Sequence, residues 1–457
     1  MELTMRNKLA ALLLLSGLIF TSCLRDADTH PPAKTESSKE TETVIENVTE
    51  EGTEENSMEE YPMPEPEISD AAQTWIDAKY DATGVIMTLG EITSENERVM
   101  KDSDVMTDIL ALPESITSDE IKAFIDKGHV PSLPKYDSDG SEITVEHLQS
   151  VVSSMGRENI PESISPRMAI VTVRANLRAF PDDKPYRKSP SDPYDTIQQT
   201  ELHVGTPVWV VYESTCGEYL LVRSSNYAGW VKAENIAVTD SADEFNSFAA
   251  PESFVCITAT SVKLEETELD MGVILPLASE DREGFTVKLP VRLSDGTLGD
   301  TEIRLARDVA NKGYLDFTYE NFIIQAFKYE GTMYSWGGLD TGVDCSGFVG
   351  NVLRSFGFRL PRDTKDQQKI VGTSIEVRGK SNSEISMILE STNGPTAVYY
   401  PGHVLFYLGR GTDGKYYFIH APQIGEAVSV TAKTSLENMT YICEFSAKEE
   451  ANEVEPA

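Results

Sequence analysis

One cysteine, Cys345, lies just before a predicted helix and could serve as a nucleophile. Apolar residues after it recur at the spacing of one buried helix face, and Gly357 supplies a helix stop. Those apolar residues are Phe348, Val349, Val352, Leu353 and Phe356. Unpaired backbone N–H groups and the positive dipole end of a helix start stabilise an anion, which predicts a lowered thiol pKa and a reactive thiolate. The alternative is a buried cysteine that acts only as a small hydrophobic side chain.

A nucleophilic cysteine also needs a base within hydrogen-bond reach and a third group that orients this base. Of the six histidines in the chain, only His403 and His420 follow Cys345. His403 begins one apolar run and His420 ends the next, which is the arrangement expected for two paired strands. These two imidazoles are therefore the candidate partners of the thiol.

The segment between the two runs predicts how the histidines are placed. It reads Gly-Thr-Asp-Gly, a strong hairpin signal. With these residues as the loop, Arg410 faces Lys415 and, further along, Leu405 faces His420. His403 is two residues from Leu405, so both histidines should lie on one face of the hairpin as diagonal neighbours.

Length, charge and cysteine content limit the class of protein. The chain has 457 residues, 40% of them hydrophobic, which suits roughly three globular domains of about 150 residues. A formal net charge of −36 argues against a nucleic-acid partner, which needs a basic face. The five cysteines form no Cys-x-x-Cys pair, so neither a disulfide framework nor a metal site is predicted, and no cofactor is expected. A single disulfide in an exported chain stays open.

The N-terminus predicts export. Arg6 and Lys8 precede an apolar run over residues 9–20, which is too short for the ~20 residues that span a bilayer but suits a signal peptide. Small residues before Cys23 resemble the lipobox of bacterial lipoproteins, which predicts lipidation of Cys23 and a membrane anchor. The alternative is ordinary secretion with Cys23 incidental. Residues 24–68 are acidic, rich in Glu, Thr, Ser and Pro, and almost without aromatic side chains, so we expect a disordered tether.

Helical signals and then strand signals fill the middle of the chain. A capping-box pattern at Thr117 and Glu120 and a candidate cap at Thr144 mark a helical region. Short alternating strands follow in two sets, and the Tyr-Ala-Gly-Trp-Val sequence at 227–231 resembles a bacterial SH3-like domain. Tyr227 there could face a neighbouring site or pack on Trp230. The predicted segments are 1–23 signal peptide, 24–68 tether, 69–162 helical region, 163–245 and 246–310 SH3-like domains, 311–447 C-terminal domain and 448–457 acidic tail.

Five motifs in the C-terminal domain occur in an informative order. They are Tyr334-x-Trp336-Gly337-Gly338, Asp344-Cys345-Ser346-Gly347-Phe348, Leu360-Pro361-Arg362-Asp363-Thr364, Gly402-His403-Val404 and Phe418-Ile419-His420-Ala421. Together they resemble the NlpC-type cysteine peptidases of bacterial cell walls over residues 318–443. The helical region and the two SH3-like domains resemble the larger members of that family.

The resemblance implies an α+β fold with a papain-like catalytic domain behind two SH3-like barrels and a short helical region. It implies cleavage of the amide between γ-D-glutamate and the diamino acid of peptidoglycan stem peptides or muropeptides. Cys345 maps to the nucleophile, His403 to the base and His420 to the residue that orients the base. The family's substrate-binding positions map to Asp344, Ser346, Trp336, Tyr227 and Tyr334, the last through its hydroxyl at the oxyanion site.

The same residues leave two alternatives open. The Cys–His pair could serve an amidase or an acyltransferase of the same fold. The chain could also be a non-catalytic lipoprotein whose barrels bind peptidoglycan, although a pure binder does not need a cysteine and both histidines. The preferred hypothesis is a thioester mechanism without metal or organic cofactor, in an exported protein anchored to a membrane and facing the cell wall or periplasm.

Overall fold

A computed structural model describes residues 68–447 of the chain. The predicted signal peptide with Cys23, the tether except for Ile68, and the acidic tail lie outside the described residues. Between residues 68 and 447, no helix combines the length and the apolar character that a membrane crossing requires. The segment boundaries predicted from the sequence stay predictions.

Four helices begin the described chain: α1 Asp70–Asp77, α2 Leu89–Asp102, α3 Ser118–Asp126 and α4 Val145–Ser154. The capping box predicted at Thr117 and Glu120 is confirmed, because each side chain bonds the backbone N–H of the other. Thr144 caps α4 as predicted. The short strands β1 Val85–Met87, β2 Ile116–Thr117 and β3 Ser163–Ile164 lie among these helices.

The N-terminal helices divide between two hydrophobic cores. Ala72 and Ile76 of α1 are buried in the core of the C-terminal domain, together with Phe322. Ile121 of α3 instead packs into a core that contains Trp230 of the first β domain. The helical segment therefore has no single core of its own and stabilises both of its neighbours.

The first β domain is an antiparallel sheet with strand order β10-β4-β7-β8-β9-β5-β6. Its strands are β4 Arg167–Val171, β5 Ala175–Arg178, β6 Gln198–Leu202, β7 Pro207–Glu213, β8 Tyr219–Arg223, β9 Ala228–Lys232 and β10 Ile236–Thr239. Helix α5, Ala242–Ala249, follows this sheet. Apolar side chains alternate toward two cores, one on each face of the sheet.

The second β domain has strand order β16-β15-β14-β11-β17, with the hairpin β12-β13 beside it. Its strands are β11 Phe254–Ile257, β12 Ser261–Lys263, β13 Glu268–Asp270, β14 Ile274–Glu280, β15 Gly284–Arg292, β16 Leu298–Ala306 and β17 Ala310–Lys312. A turn at Asp295-Gly296 joins β15 and β16, with Arg292 paired to Leu298.

The C-terminal domain packs helices against a sheet of order β19-β24-β20-β21-β22-β23. Its helices are α6 Tyr319–Lys328, α7 Cys345–Arg354, α8 Thr364–Ile370 and α9 Asn382–Ser391. Its strands are β18 Phe317–Thr318, β19 Thr373–Glu376, β20 Thr396–Tyr400, β21 His403–Arg410, β22 Tyr416–His420, β23 Ser429–Lys433 and β24 Tyr441–Glu444. The strand β18 pairs with β1 from the N-terminal segment.

Candidate active site

Cys345 is the first residue of α7, which is where the apolar pattern places it. Asp344 caps this helix: its Oδ1 accepts from the Gly347 N–H at 2.7 Å and its Oδ2 accepts from the Gly337 N–H at 3.0 Å. The cap thus ties the helix start to the preceding loop. The cysteine side chain is buried, with 6% of its surface exposed.

Burial raises the pKa of the Cys345 thiol to about 12, and the negative charge of Asp344 raises it further. The backbone N–H groups of Val404 and Ser346 and the charge of Arg362 lower the pKa, but they do not outweigh burial. The predicted lowering of the thiol pKa is therefore wrong, because desolvation exceeds the effect of the helix start. The Cys345 side chain is therefore a neutral thiol at pH 7.

Two histidines on neighbouring strands form a hydrogen-bonded pair. His403 begins β21 and His420 ends β22, and His403 Nε2 lies 2.8 Å from His420 Nδ1. His420 Nε2 lies 3.1 Å from the hydroxyl of Thr431 on β23. The prediction of two neighbouring histidines on one hairpin face is confirmed. The Val404 N–H is directed at the Cys345 sulfur, so the thiol lies beside the start of the strand that carries His403.

The register of this hairpin differs from the prediction only near its turn. Arg410 pairs with Tyr416 instead of Lys415, so that part of the prediction is wrong. A bulge between Tyr407 and Gly409 adds one residue to β21 and restores the expected pairing beyond it. At the histidine end, Phe406 therefore pairs with Ile419, which is the predicted register.

Both imidazoles are neutral at pH 7. Burial lowers the pKa of His403 to about 4, and the charge of Lys433 lowers it further. Burial likewise lowers the pKa of His420 to about 3, with smaller effects from His403 and Lys433. A neutral His403 can accept a proton, which is what a base beside a neutral thiol must do.

A buried arginine, Arg362, connects helix α7, which begins at Cys345, to the first β domain. On the helix side, Nη2 lies 2.7 Å from Asp344 Oδ2 and Nη1 donates to Ser346 Oγ at 2.7 Å. On the side of the first β domain, Arg362 Nε donates to Thr200 Oγ1 at 2.6 Å and Nη2 lies 3.3 Å from Glu201 Oε2. Burial raises the pKa of Glu201, but Arg362 and other cations outweigh burial and hold it at about 2.

The charge network continues into the second β domain. His203 Nε2 lies 3.7 Å from Glu201 Oε1, and His203 Nδ1 lies 2.7 Å from Asp270 Oδ2. Arg174 Nε lies 3.0 Å from the same Asp270 oxygen. Burial lowers the pKa of His203, so a neutral imidazole lies between the carboxylates of Glu201 and Asp270. Arg362 and Arg174 are the cations that offset part of the desolvation cost of the buried carboxylates.

A glycine pair allows the close approach on which this contact depends. Gly337 and Gly338 have φ of 59° and 70°, a region that L side chains rarely adopt. A Cβ on Gly338 would lie 2.3 Å from Glu201 Oε2, and one on Gly337 would lie 2.8 Å from Gln198 Cγ. The Trp-Gly-Gly motif is therefore required by the packing of the loop before Cys345 against β6.

The aromatic residues of the same loop lie beside the cysteine. Burial raises the pKa of Tyr334, and the charges of Asp344 and Cys345 raise it further, which places the phenol near the nucleophile. The Trp336 ring is 38% exposed and packs edge-on against Tyr194 of the first β domain, with centroids 5.4 Å apart. Their roles in substrate binding stay predictions.

Tyr227 faces a cavity between the first β domain and the C-terminal domain. Its hydroxyl donates to Gln199 Oε1 at 2.9 Å. Burial raises its pKa to about 12, and the nearby charge of Asp363 adds to the increase. The cavity, about 340 Å³, is lined by both domains and includes Trp230 in its wall. These contacts favour the first of the two sequence alternatives, a tyrosine that faces a neighbouring site.

Several residues of the site had no role predicted from the sequence. Arg362 lies within a quoted motif, which could have been a signal, since a buried arginine next to a catalytic segment needs acidic partners. Glu201, Thr431 and Lys433 are single polar residues on strands, and no spacing relates them to Cys345. Among the described residues, no group of three or more histidine, cysteine and acidic side chains could hold a metal ion.

Comparison with known families decides the assignment of the C-terminal domain. The model of the NlpC/P60 family matches residues 331–443. Residues 331–443 form an NlpC/P60 domain. The NlpC/P60 domain contains Cys345, His403 and His420, and the predicted cysteine-peptidase family is confirmed. A model of the SH3 domain of the SH3b1 type matches residues 183–232, within the first β domain.

Related proteins match different shares of this chain. A γ-D-glutamyl-L-lysine dipeptidyl-peptidase of Bacillus subtilis is 25% identical over 250 residues, 52% of this chain and 77% of the relative. A bifunctional muramidase/DL-endopeptidase of the same species is 36% identical over 109 residues, 22% of this chain and 29% of the relative.

One solved structure has the same fold over most of the described chain. An NlpC/P60 endopeptidase from Photobacterium damselae subsp. piscicida superimposes with a TM-score of 0.67, at 19% identity. The superposition covers 85% of this chain and 100% of that structure. The papain-like α+β fold class is thereby confirmed, and the NlpC/P60 domain is that of a cysteine peptidase.

The histidine pKa values predict the acid limb of the pH profile. Protonation removes the base, so kcat/KM should stay constant from pH 7 to below 6 and fall only as the pH approaches 4. Lys433→Met removes a charge that lowers both histidine pKa values and should move the acid limb up by about half a pH unit. Lys433→Arg keeps the charge and should leave the limb in place. A limb near pH 6.5 in the wild type would contradict the neutral, buried pair.

The contacts of Arg362 predict that its replacement lowers the free energy of unfolding strongly and that a second substitution restores part of the loss. Arg362→Met leaves Asp344 and Glu201 as unpaired buried charges, which should cost about 3–5 kcal/mol. Adding Glu201→Gln removes one of these charges and should recover part of the loss in denaturant unfolding. Arg410→Met, which breaks an exposed ion pair with Glu390, is the matched control and should cost under about 1 kcal/mol. Equal losses for the two arginine variants would contradict the role of Arg362.

Proposed function

We propose that this protein is a cell-wall endopeptidase that hydrolyses the amide bond between γ-D-glutamate and the diamino acid of peptidoglycan stem peptides. The observation that carries the proposal is the hydrogen-bonded pair of His403 and His420, with the buried thiol of Cys345 beside the strand that bears His403. The B. subtilis relative named for γ-D-glutamyl-L-lysine cleavage supports the choice of substrate.

The first step is proton transfer coupled to attack. For His403 Nδ1 to accept the thiol proton, its Nε2–H must donate to His420 Nδ1, and His420 Nε2–H then donates to Thr431 Oγ1. The sulfur of Cys345 attacks the γ-carbonyl carbon as its proton moves to His403. The new imidazolium is stabilised by the hydrogen bond to His420, so His420 acts as a positioning residue for the base.

The second step expels the amine. Backbone N–H groups at the start of α7, together with the Tyr334 hydroxyl, stabilise the oxyanion of the tetrahedral intermediate. The His403 imidazolium donates its proton to the leaving amine of the diamino acid, and the C–N bond breaks. The γ-glutamyl group remains as a thioester on Cys345.

The third step regenerates the enzyme. Neutral His403 takes a proton from a water molecule, and the resulting hydroxide equivalent attacks the thioester carbonyl. The C–S bond breaks, the γ-carboxylic acid leaves, and His403 returns the proton to the thiolate of Cys345. Protons and electron pairs balance without a metal or an organic cofactor.

The contacts of the site suggest how the substrate-binding residues divide their work. Both Asp344 oxygens already accept hydrogen bonds from the backbone, and Oδ2 also contacts Arg362, so Asp344 acts as a positioning residue for α7. Asp363 borders the cavity that Tyr227 faces. We assign Tyr227 to the wall of the substrate pocket, since it borders this cavity beside the C-terminal domain. We also assign Ser346, which follows Cys345, and the exposed ring of Trp336 to substrate binding.

The membrane anchor is also part of the proposal. The small residues before Cys23 support lipidation of this cysteine, which would attach an exported enzyme to a membrane through covalent lipid chains. Such an anchor keeps the peptidase near the wall whose stem peptides it cleaves.

Replacement of the nucleophile gives the decisive test. Cys345→Ala should abolish release of the diamino-acid fragment from muropeptides, as read by mass spectrometry, while the thermal midpoint stays close to wild type. Cys216→Ser alters an exposed cysteine outside the site and serves as the matched control. Unchanged cleavage by Cys345→Ala sinks the proposal. Products cut at another bond favour an amidase or acyltransferase, and binding without turnover by wild type favours a peptidoglycan-binding lipoprotein.

The anchor has its own test. Cys23→Ala should prevent incorporation of labelled fatty acid and move the protein from the membrane fraction to the soluble fraction of cells. Cys216→Ser should leave both readouts unchanged. Equal labelling of Cys23→Ala and wild type would show that Cys23 is not the modified residue.

A further inference from the structure

Lys433 is a cation beside the two histidines that none of the steps above uses. It lies on β23 two residues after Thr431, which contacts His420, so Lys433 and Thr431 share one face of the sheet. Both histidine pKa values are lowered by its charge, which is consistent with Nζ lying close to the pair. The lysine is half-buried.

The ammonium group has an aromatic neighbour but lacks an acidic one. Lys433 Nζ lies 5.1 Å from the centroid of the Tyr400 ring. Tyr400 pairs with His403 across β20 and β21, so its side chain is on the same face as His403. Within residues 68–447, the ion pairs at 4 Å or less include none to Lys433. A cation next to a catalytic base disfavours the imidazolium, so its position requires another explanation.

The Tyr400 hydroxyl is a second group without a partner. Its oxygen is buried and makes no hydrogen bond to any described residue. A buried hydroxyl that stays unpaired costs about 1–3 kcal/mol, and a charged acceptor would remove this cost. An O–H donor and an ammonium donor on one face are together suited to a carboxylate.

We propose that Lys433 and Tyr400 form a carboxylate-binding subsite on the leaving-group side of the active site, where they recognise the free α-carboxylate of the diamino acid. This inference rests on the proposed function. The amine that His403 protonates is separated from the α-carboxylate of the same residue by a single carbon atom. A substrate placed for that proton transfer therefore brings its carboxylate close to the groups that surround His403.

The subsite determines which stem peptides are preferred. A diamino acid with a free α-carboxylate presents a full negative charge to Lys433 and an acceptor to Tyr400. A carboxamide, or a chain extended by another amino acid, presents a neutral group at the same place and loses the charge-assisted bond. The enzyme is thus selective for stems that end at the diamino acid, which an activity that trims the following residues must supply.

The test compares two peptides that differ only in this group. The substrates are L-alanyl-γ-D-glutamyl-L-lysine with a free C-terminal carboxylate and the same tripeptide as its carboxamide, assayed at pH 7 with the full-length protein. Wild type should favour the free acid by about tenfold or more in kcat/KM. Lys433→Met should bring the ratio close to one, whereas Lys433→Arg should keep most of it.

Two further variants separate recognition from folding. Tyr400→Phe removes only the hydroxyl and should lower the ratio by a factor of about three, even if Lys433→Met unfolds. Lys415→Met, which alters an exposed residue just before β22 that is paired with Asp413, should leave both the ratio and the rates unchanged. A wild-type ratio near one with both peptides cleaved overturns the subsite but not the proposed function. Cleavage of neither peptide overturns both, and a ratio unaffected by Lys433→Met leaves the lysine with a structural role only.

Discussion

The ion contacts of Arg362 are the constraint on which the site depends. The guanidinium of Arg362 contacts Asp344, which caps helix α7, and at the same time contacts Thr200 and Glu201 on strand β6 of the first β domain. Unpaired buried charges are costly. Separation of the two domains would therefore leave Asp344 and Glu201 either exposed to water or buried without a cationic partner. The first β domain is therefore fixed against the helix that begins at Cys345, and the cavity beside Tyr227 exists only while this contact holds.

Burial has opposite effects on the two reacting groups, and both effects favour the same resting state. It raises the pKa of the Cys345 thiol and lowers that of the His403 imidazole, so each group is neutral before substrate arrives. A neutral pair resists adventitious alkylation and oxidation, which act on the thiolate. In the proposed mechanism, the charge separation forms only with the substrate carbonyl in place, when the oxyanion site and His420 stabilise it.

The sequence predicts the parts of the site that are encoded locally. The helix start at Cys345 follows from apolar spacing, and the shared face of the histidines follows from the alternation of a hairpin. The register error near Arg410 arises because a bulge has no signature in residue type. The contacts of Glu201 and Lys433 could not be predicted for another reason. They cross between domains or strands, and a single polar residue on a strand is normally interpreted as a surface residue. The prediction of a lowered thiol pKa is wrong because the burial of Cys345 depends on the whole fold.

The pairing of β1 with β18 determines where the upstream chain is attached. Ile68 and helix α1 pack on the C-terminal domain, and β1 joins the strand that opens it, while α3 and α4 cover the first β domain. The described chain therefore starts on the domain that carries Cys345, leaves it for the two β domains, and returns. A force applied to the chain upstream of residue 68 would therefore act first on the C-terminal domain. A protease cut in the loops between α2 and α3 would leave the first helices bound to the domain that they help to fold.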